Sequence, residues 1–151
     1  MKGGFFMLVR RIMNTNVISL SPDDNAAVAA RILERHGIGF VPVCSKDGKL
    51  RGIVTDRDIA LRCVALDAFP AEIKLREIMT RGVVSVSPDD DVSAAARIMA
   101  SEQLRRLPVV EHGKVVGIFS LADLAVKTSY TSEISNALAE ISAPRHRYKH
   151  I

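Results

Sequence analysis

The chain repeats itself. Displaced by 66 positions, Ile12-Met13 falls on Ile78-Met79, and Ser21-Pro22-Asp23-Asp24 falls on Ser87-Pro88-Asp89-Asp90. Ala29-Ala30-Arg31-Ile32 falls on Ala95-Ala96-Arg97-Ile98, and Pro42-Val43 on Pro108-Val109. One residue is then lost in a turn. At a displacement of 65, Gly48-Lys49 matches Gly113-Lys114, Gly52-Ile53 matches Gly117-Ile118, and Asp58 matches Asp123. The register holds 21 identities over the 49 positions compared, which marks a duplicated structural unit.

Each copy carries the same local signals. A helical lead-in spans 9–13 and 75–79, followed by a short strand at 17–20 and 83–86. Ser-Pro-Asp-Asp then supplies helix-start chemistry, a capping oxygen and carboxylates near the positive helix end. A helix is predicted over 25–36, with Ala29, Ile32, Leu33 and His36 on one face and Gly37 as its stop. Its twin covers 91–102, with Ala95, Ile98 and Met99 inward. A hairpin follows, 40–44 with 50–55 and 106–110 with 114–119. A second helix closes each copy, 56–66 and 121–127. The order β-α-β-β-α thus occurs twice, and a sheet covered by helices on one face leaves its other face apolar. The expected class is α/β (α+β), with two such repeats packed sheet to sheet about a pseudo-twofold axis. The expected division is repeat 8–66, linker 67–74, repeat 75–128, and a C-terminal helix and basic tail over 131–151. In that helix Ile134, Ala137, Leu138 and Ile141 share a face, which suits packing on its own fold or a dimer contact.

Composition permits this. Hydrophobic residues are 48% and aromatics 5% with no Trp, so Val, Ile, Leu and Ala must build the core. The net charge of +4 is scattered except in the tail at 145–150, and no basic stripe with stacking aromatics points to nucleic acid. Cys44 and Cys63 lack C-x-x-C spacing and read as reduced core thiols of a cytoplasmic protein. The apolar run 5–9 is too short for a signal segment, and no stretch approaches a membrane span. His36, His112, His146 and His150 show no metal-ligand spacing.

The chemistry concentrates where the second hairpin strand meets the second helix. Gly52-Ile53-Val54-Thr55-Asp56-Arg57-Asp58 and Gly117-Ile118-Phe119-Ser120-Leu121-Ala122-Asp123 share the pattern Gly-hydrophobic-x-(Thr/Ser)-x-x-Asp. A carboxylate there can accept two hydroxyl groups of a diol. A helix start offers N–H groups to a phosphate, and the guanidinium of Arg57 is a planar fork for the same group. The same spacing is also a capping box, which merely starts a helix; both roles are compatible.

These residues carry a family resemblance. Over residues 8–127 the chain resembles the CBS domain family, specifically a stand-alone tandem pair (a Bateman module) of the small bacterial type. The resemblance rests on the repeated Ile-Met lead-in, the hydrophobic-Pro-Val strand and the doubled Gly-to-Asp signature. It extends to Thr55-Asp56-Arg57-Asp58-Ile59 and Arg105-Arg106-Leu107-Pro108. It implies two clefts between the repeats. There Asp58 and Asp123 would accept ribose hydroxyls, and Thr55, Ser120 and Arg57 would serve phosphate. Backbone around Thr15, Val17 and Val83, and around Val41-Pro42 and Leu107-Pro108, would hold adenine. Pro42 and Pro108 also read as strand-edge protection.

The implied function is a regulatory sensor of AMP, ADP, ATP or a related adenosyl ligand, with no required cofactor, acting on an unidentified regulated protein. A homodimer is expected. Because Leu121-Ala122 replaces Asp56-Arg57, the first site should be the stronger. The alternative is a protein-interaction module without a small ligand, and nucleic-acid binding is a minor one. No convergent acid, base and nucleophile suggests an enzyme.

Overall fold

The computed structural model describes residues 6–127 and 131–144. The basic tail read from the sequence lies outside the described residues. Mixed helices and strands form two small antiparallel sheets. The first copy supplies α1 (Ala26–His36), β1 (Phe40–Cys44), β2 (Leu50–Thr55) and α2 (Asp56–Arg62). A short helix α3 (Leu75–Ile78) follows. The second copy supplies α4 (Val92–Glu102), β3 (Arg106–Glu111), β4 (Lys114–Ser120) and α5 (Leu121–Lys127), and α6 (Thr131–Ser142) ends the described chain. The hairpins form where the sequence predicts, with β3 running one residue further, to Glu111. In the second, His112 and Gly113 take positive φ of 54° and 79°, the backbone of a two-residue turn matched to strand twist.

The compact units do not follow chain order. One contains Val17–Val84 with His112–Val115. The other contains the chain up to Asn16, Ser85–Glu111 and the chain from Val116 onward. The lead-in of each copy therefore packs with the hairpin of the other.

In the first unit, Leu75, Ile78 and Met79 join Leu33, Val41 and Val54 in one buried cluster. Thr80 pairs with Ile53 through two backbone bonds of 2.8 and 3.0 Å, and Arg76 ion-pairs with Asp23. The second unit repeats the scheme at equivalent positions. Asn14 pairs with Ile118 at 2.8 and 2.9 Å, and Arg10 lies 2.6 Å from Asp89. These ion pairs are exposed and screened by solvent, so the lead-ins are held by burial and backbone pairing.

Two local expectations need correction. The short first strands reduce to single parallel bridges, Leu20 with Val43 and Val86 with Val109. Leu20 donates to Pro42 O at 3.0 Å and accepts from Cys44 N–H at 2.8 Å. The next bond of such a ladder would need an N–H from Pro42, which has none. Pro108 ends the second ladder in the same way. The prolines thus stand inside β1 and β3 and limit what can pair beside them.

Ser-Pro-Asp-Asp is likewise not the cap. Ser21 N–H donates to Asp24 Oδ2 at 2.8 Å and Asp23 N–H to Ser21 Oγ at 3.1 Å, closing a turn ahead of the helix. The cap of α1 is Asn25, accepting from Val28 N–H at 2.9 Å. Ser21 lies too far before the first helical residue to reach its open N–H groups.

Helix α1 ends at Gly37, as read from the sequence, with φ 60° and Ile38 N–H bonded to Leu33 O at 3.1 Å. His36 is exposed rather than on the buried face. The matching left-handed position after α4 is Gln103, φ 56°. Its side-chain amide donates to Glu140 O and Ala143 O at 2.9 and 3.1 Å, tying down the end of α6. On α6, Ala137 and Ile141 are buried against the same unit while Leu138 is exposed. The second helix of the first copy stops at Arg62, and Val64–Leu66 form a separate 3₁₀ turn. Cys44 and Cys63 are buried and unpaired, and burial pushes the Cys44 thiol up, opposed by a hydrogen bond with Ser19.

Candidate functional site

The site is built at the β2–α2 junction. Thr55 is still extended, at φ −110° and ψ 164°, and caps the helix. Its hydroxyl accepts from Asp58 N–H at 3.0 Å, and Asp58 Oδ2 accepts from Thr55 N–H at 2.9 Å. The capping box read from the sequence is therefore formed in full.

Asp58 has further partners. Its residue is 7% exposed. Thr80, delivered by the lead-in pairing with Ile53, donates its hydroxyl to Oδ1 at 3.2 Å and Oδ2 at 3.4 Å. Arg62, one turn along α2, lies 3.5 Å from Oδ1. The same guanidinium nitrogen donates to Ile78 O at 2.9 Å and Met79 O at 3.3 Å. A buried carboxylate without partners would be costly. Here the Thr55 N–H, the Thr80 hydroxyl and the Arg62 guanidinium replace its water.

The β4–α5 junction is a looser copy. Ser120 Oγ accepts from Asp123 N–H at 3.0 Å. The Asp123 side chain is 27% exposed and lies 3.8 Å from Lys127 Nζ. Lys127 Nζ in turn donates to Ile12 O at 3.0 Å. Arg62 and Lys127 are equivalent at the 65-residue displacement, as are Ile78 and Ile12 at 66. In both copies a basic side chain four residues after the Asp bridges the carboxylate and the lead-in. Sequence reading missed Arg62, Lys127 and Thr80. The conserved charge at one repeat position was the available signal for the first two.

The remaining predicted residues sort by unit. Val17, Val41, Pro42, Thr55, Arg57, Asp58 and Val83 belong to the first; Thr15, Leu107, Pro108, Ser120 and Asp123 belong to the second. Thr15 and Val17 thus part company despite their closeness in the chain. Val41 and Leu107 are fully buried. Arg57 is exposed in the first turn of α2, and Thr15 is exposed.

A profile of the CBS domain matches residues 9–64 and 75–128. The chain belongs to the CBS domain family. The CBS domain-containing protein YhcV of Bacillus subtilis is 37% identical over 134 residues, covering 89% of this chain and 94% of that one. Among solved structures, the CBS domain protein TA0289 of Thermoplasma acidophilum superposes with a TM-score of 0.77 at 28% identity. That match covers 90% of this chain and 76% of the other. The CBS domain pair of protein MJ0100, solved with 5′-methylthioadenosine and S-adenosyl-L-methionine, gives 0.72 at 31% identity. It covers 82% of this chain and 96% of that one. A CBS pair is a regulatory module, and the mixed α+β class follows from the two sheets and these neighbours. Among the described residues, no helix is long and apolar enough to cross a membrane.

Proposed function

We propose that this CBS pair is a non-catalytic cytoplasmic sensor that binds an adenosine nucleotide or related adenosyl ligand at its strand-to-helix junctions. The observation that carries the reading is the Asp58 carboxylate, fixed by Thr55 at the start of α2, with Arg57 exposed in the same first turn. A carboxylate suits a ribose diol, and a guanidinium suits a phosphate. Support also comes from the adenosyl ligands of the MJ0100 pair. Backbone of Val17, Val41-Pro42 and Val83 would receive adenine in the first unit, with Thr15 and Leu107-Pro108 serving Ser120 and Asp123 in the second. The first site takes phosphate-bearing ligands more tightly, because Ala122 stands where Arg57 does. Regulation of a partner requires that ligand bind two states of the pair unequally.

Thermal melts with AMP, ADP, ATP, S-adenosyl-methionine and methylthioadenosine test this. A ligand at 100 times its Kd stabilises the fold by about 2.7 kcal/mol. Titration calorimetry with AMP is expected to resolve a tighter and a weaker site. Unshifted melts with all five compounds would leave the protein-interaction reading. One observation favours that second reading: Asp58 is buried and already bonded within its own unit.

We also propose a twofold homodimer, the commonest closed symmetry. Leu138 on α6 and Val126 on α5, 42% and 84% exposed, are apolar side chains open to such a contact. Light scattering should return twice the 16.5 kDa chain mass, and a monomer at micromolar concentration would refute it.

A further inference from the structure

We infer that the Thr80 hydroxyl is an internal competitor for the ligand diol on Asp58, and so sets the affinity of the first site. The inference rests on the nucleotide-binding reading above. A carboxylate offers roughly four acceptor positions. The Thr55 N–H bond at 2.9 Å takes one on Oδ2, and the Arg62 guanidinium stands 3.5 Å from Oδ1 as an ion pair. A ribose diol needs an open position on each oxygen. Thr80 Oγ1 reaches both oxygens, at 3.2 and 3.4 Å, and so stands where the diol would approach. A ligand that engages Asp58 through two hydroxyls must turn the Thr80 hydroxyl away.

The bond it breaks belongs to the lead-in of the second repeat. Thr80 is anchored to β2 by its two bonds with Ile53, and Arg62 holds Ile78 O and Met79 O of the same segment. Occupancy at Asp58 therefore loosens one of the ties on residues 78–80. The device is particular to the first site. The residue equivalent to Thr80 is Asn14, whose side-chain oxygen accepts from Asn16 N–H at 2.9 Å.

Calorimetric titration of wild type, Thr80→Val and Thr80→Ser with AMP and with 2′,3′-dideoxy-AMP tests the idea, with a melt of each ligand-free protein. Removing one competing hydrogen bond is expected to tighten AMP binding at the first site by about 5–10-fold in Thr80→Val, while its ligand-free melt falls. Thr80→Ser, which keeps the hydroxyl, stays within about twofold of wild type. The dideoxy analogue shows no gain in any variant. A merely structural Thr80 would lower the melt without raising affinity. Wild-type AMP binding with equal or weaker binding in Thr80→Val overturns the role of Thr80 and leaves the Asp58 site intact. Absence of AMP binding in all three folded proteins overturns both.

Discussion

Gly52→Ala should destabilise the protein by about 2–3 kcal/mol, although it adds one methyl group. A Cβ on Gly52 would stand 2.7 Å from Thr80 O and 3.0 Å from Met79 Sδ. Thr80 O cannot simply retreat, because it accepts the Ile53 N–H at 3.0 Å. The strain of overpacking adds to the loss of part of that pairing, worth about 1 kcal/mol. Against this, Ala restricts the unfolded chain by about 0.4–1 kcal/mol. A melting temperature lower by roughly 5–10 °C is expected for a chain of this size. Gly117→Ala should cost less. Its nearest atom is Met13 Sδ at 2.7 Å, the movable end of a flexible side chain, with Asn14 O at 3.2 Å. A Gly52→Ala protein that melts with wild type would show that the lead-in can shift at no cost. The first residue of the Gly-to-Asp signature is therefore explained by the backbone that crosses it, and a ligand need not be invoked.

Phe119→Ala carries the largest expected loss, about 3–5 kcal/mol. Phe119 heads the fully buried side chains by volume among the described residues. It lies on β4 directly before Ser120, so it also fixes where the second junction sits. Its counterpart Val54 is equally buried but smaller, and Val54→Ala should cost less. Urea unfolding measures both: the midpoint should fall with the slope unchanged. A loss under about 1 kcal/mol for Phe119→Ala would mean that the surrounding core collapses into the space.

Much of the local structure was legible because it depends on near neighbours. Helical spacing placed α1 and α4, Gly37 placed a helix end, and the glycine-bearing turns at 45–48 and 111–113 placed the hairpins. Thr55-x-x-Asp58 announced a capping box that is present. Ser-Pro-Asp-Asp misled for a physical reason. Its side chains satisfy their own turn, and the cap falls to Asn25, a position that only the onset of the helix defines. The first strands were overread because the ladder they need runs into Pro42 and Pro108, whose missing N–H groups matter only once the pairing partner is known.

By itself the sequence determined the duplication, the order of helices and hairpins, the family and the two junctions that hold Asp58 and Asp123. These follow from spacing and residue type along the chain. Only the tertiary structure decided that each lead-in pairs with the other copy's hairpin, and hence that Thr80 reaches Asp58 and that Arg62 and Lys127 bond the lead-in carbonyls of Ile78 and Ile12. Those contacts join residues up to 115 positions apart, Lys127 with Ile12 at the extreme. Nothing in local propensity encodes them. They are held in place by the burial of Leu75, Ile78 and Met79 in the first unit's core.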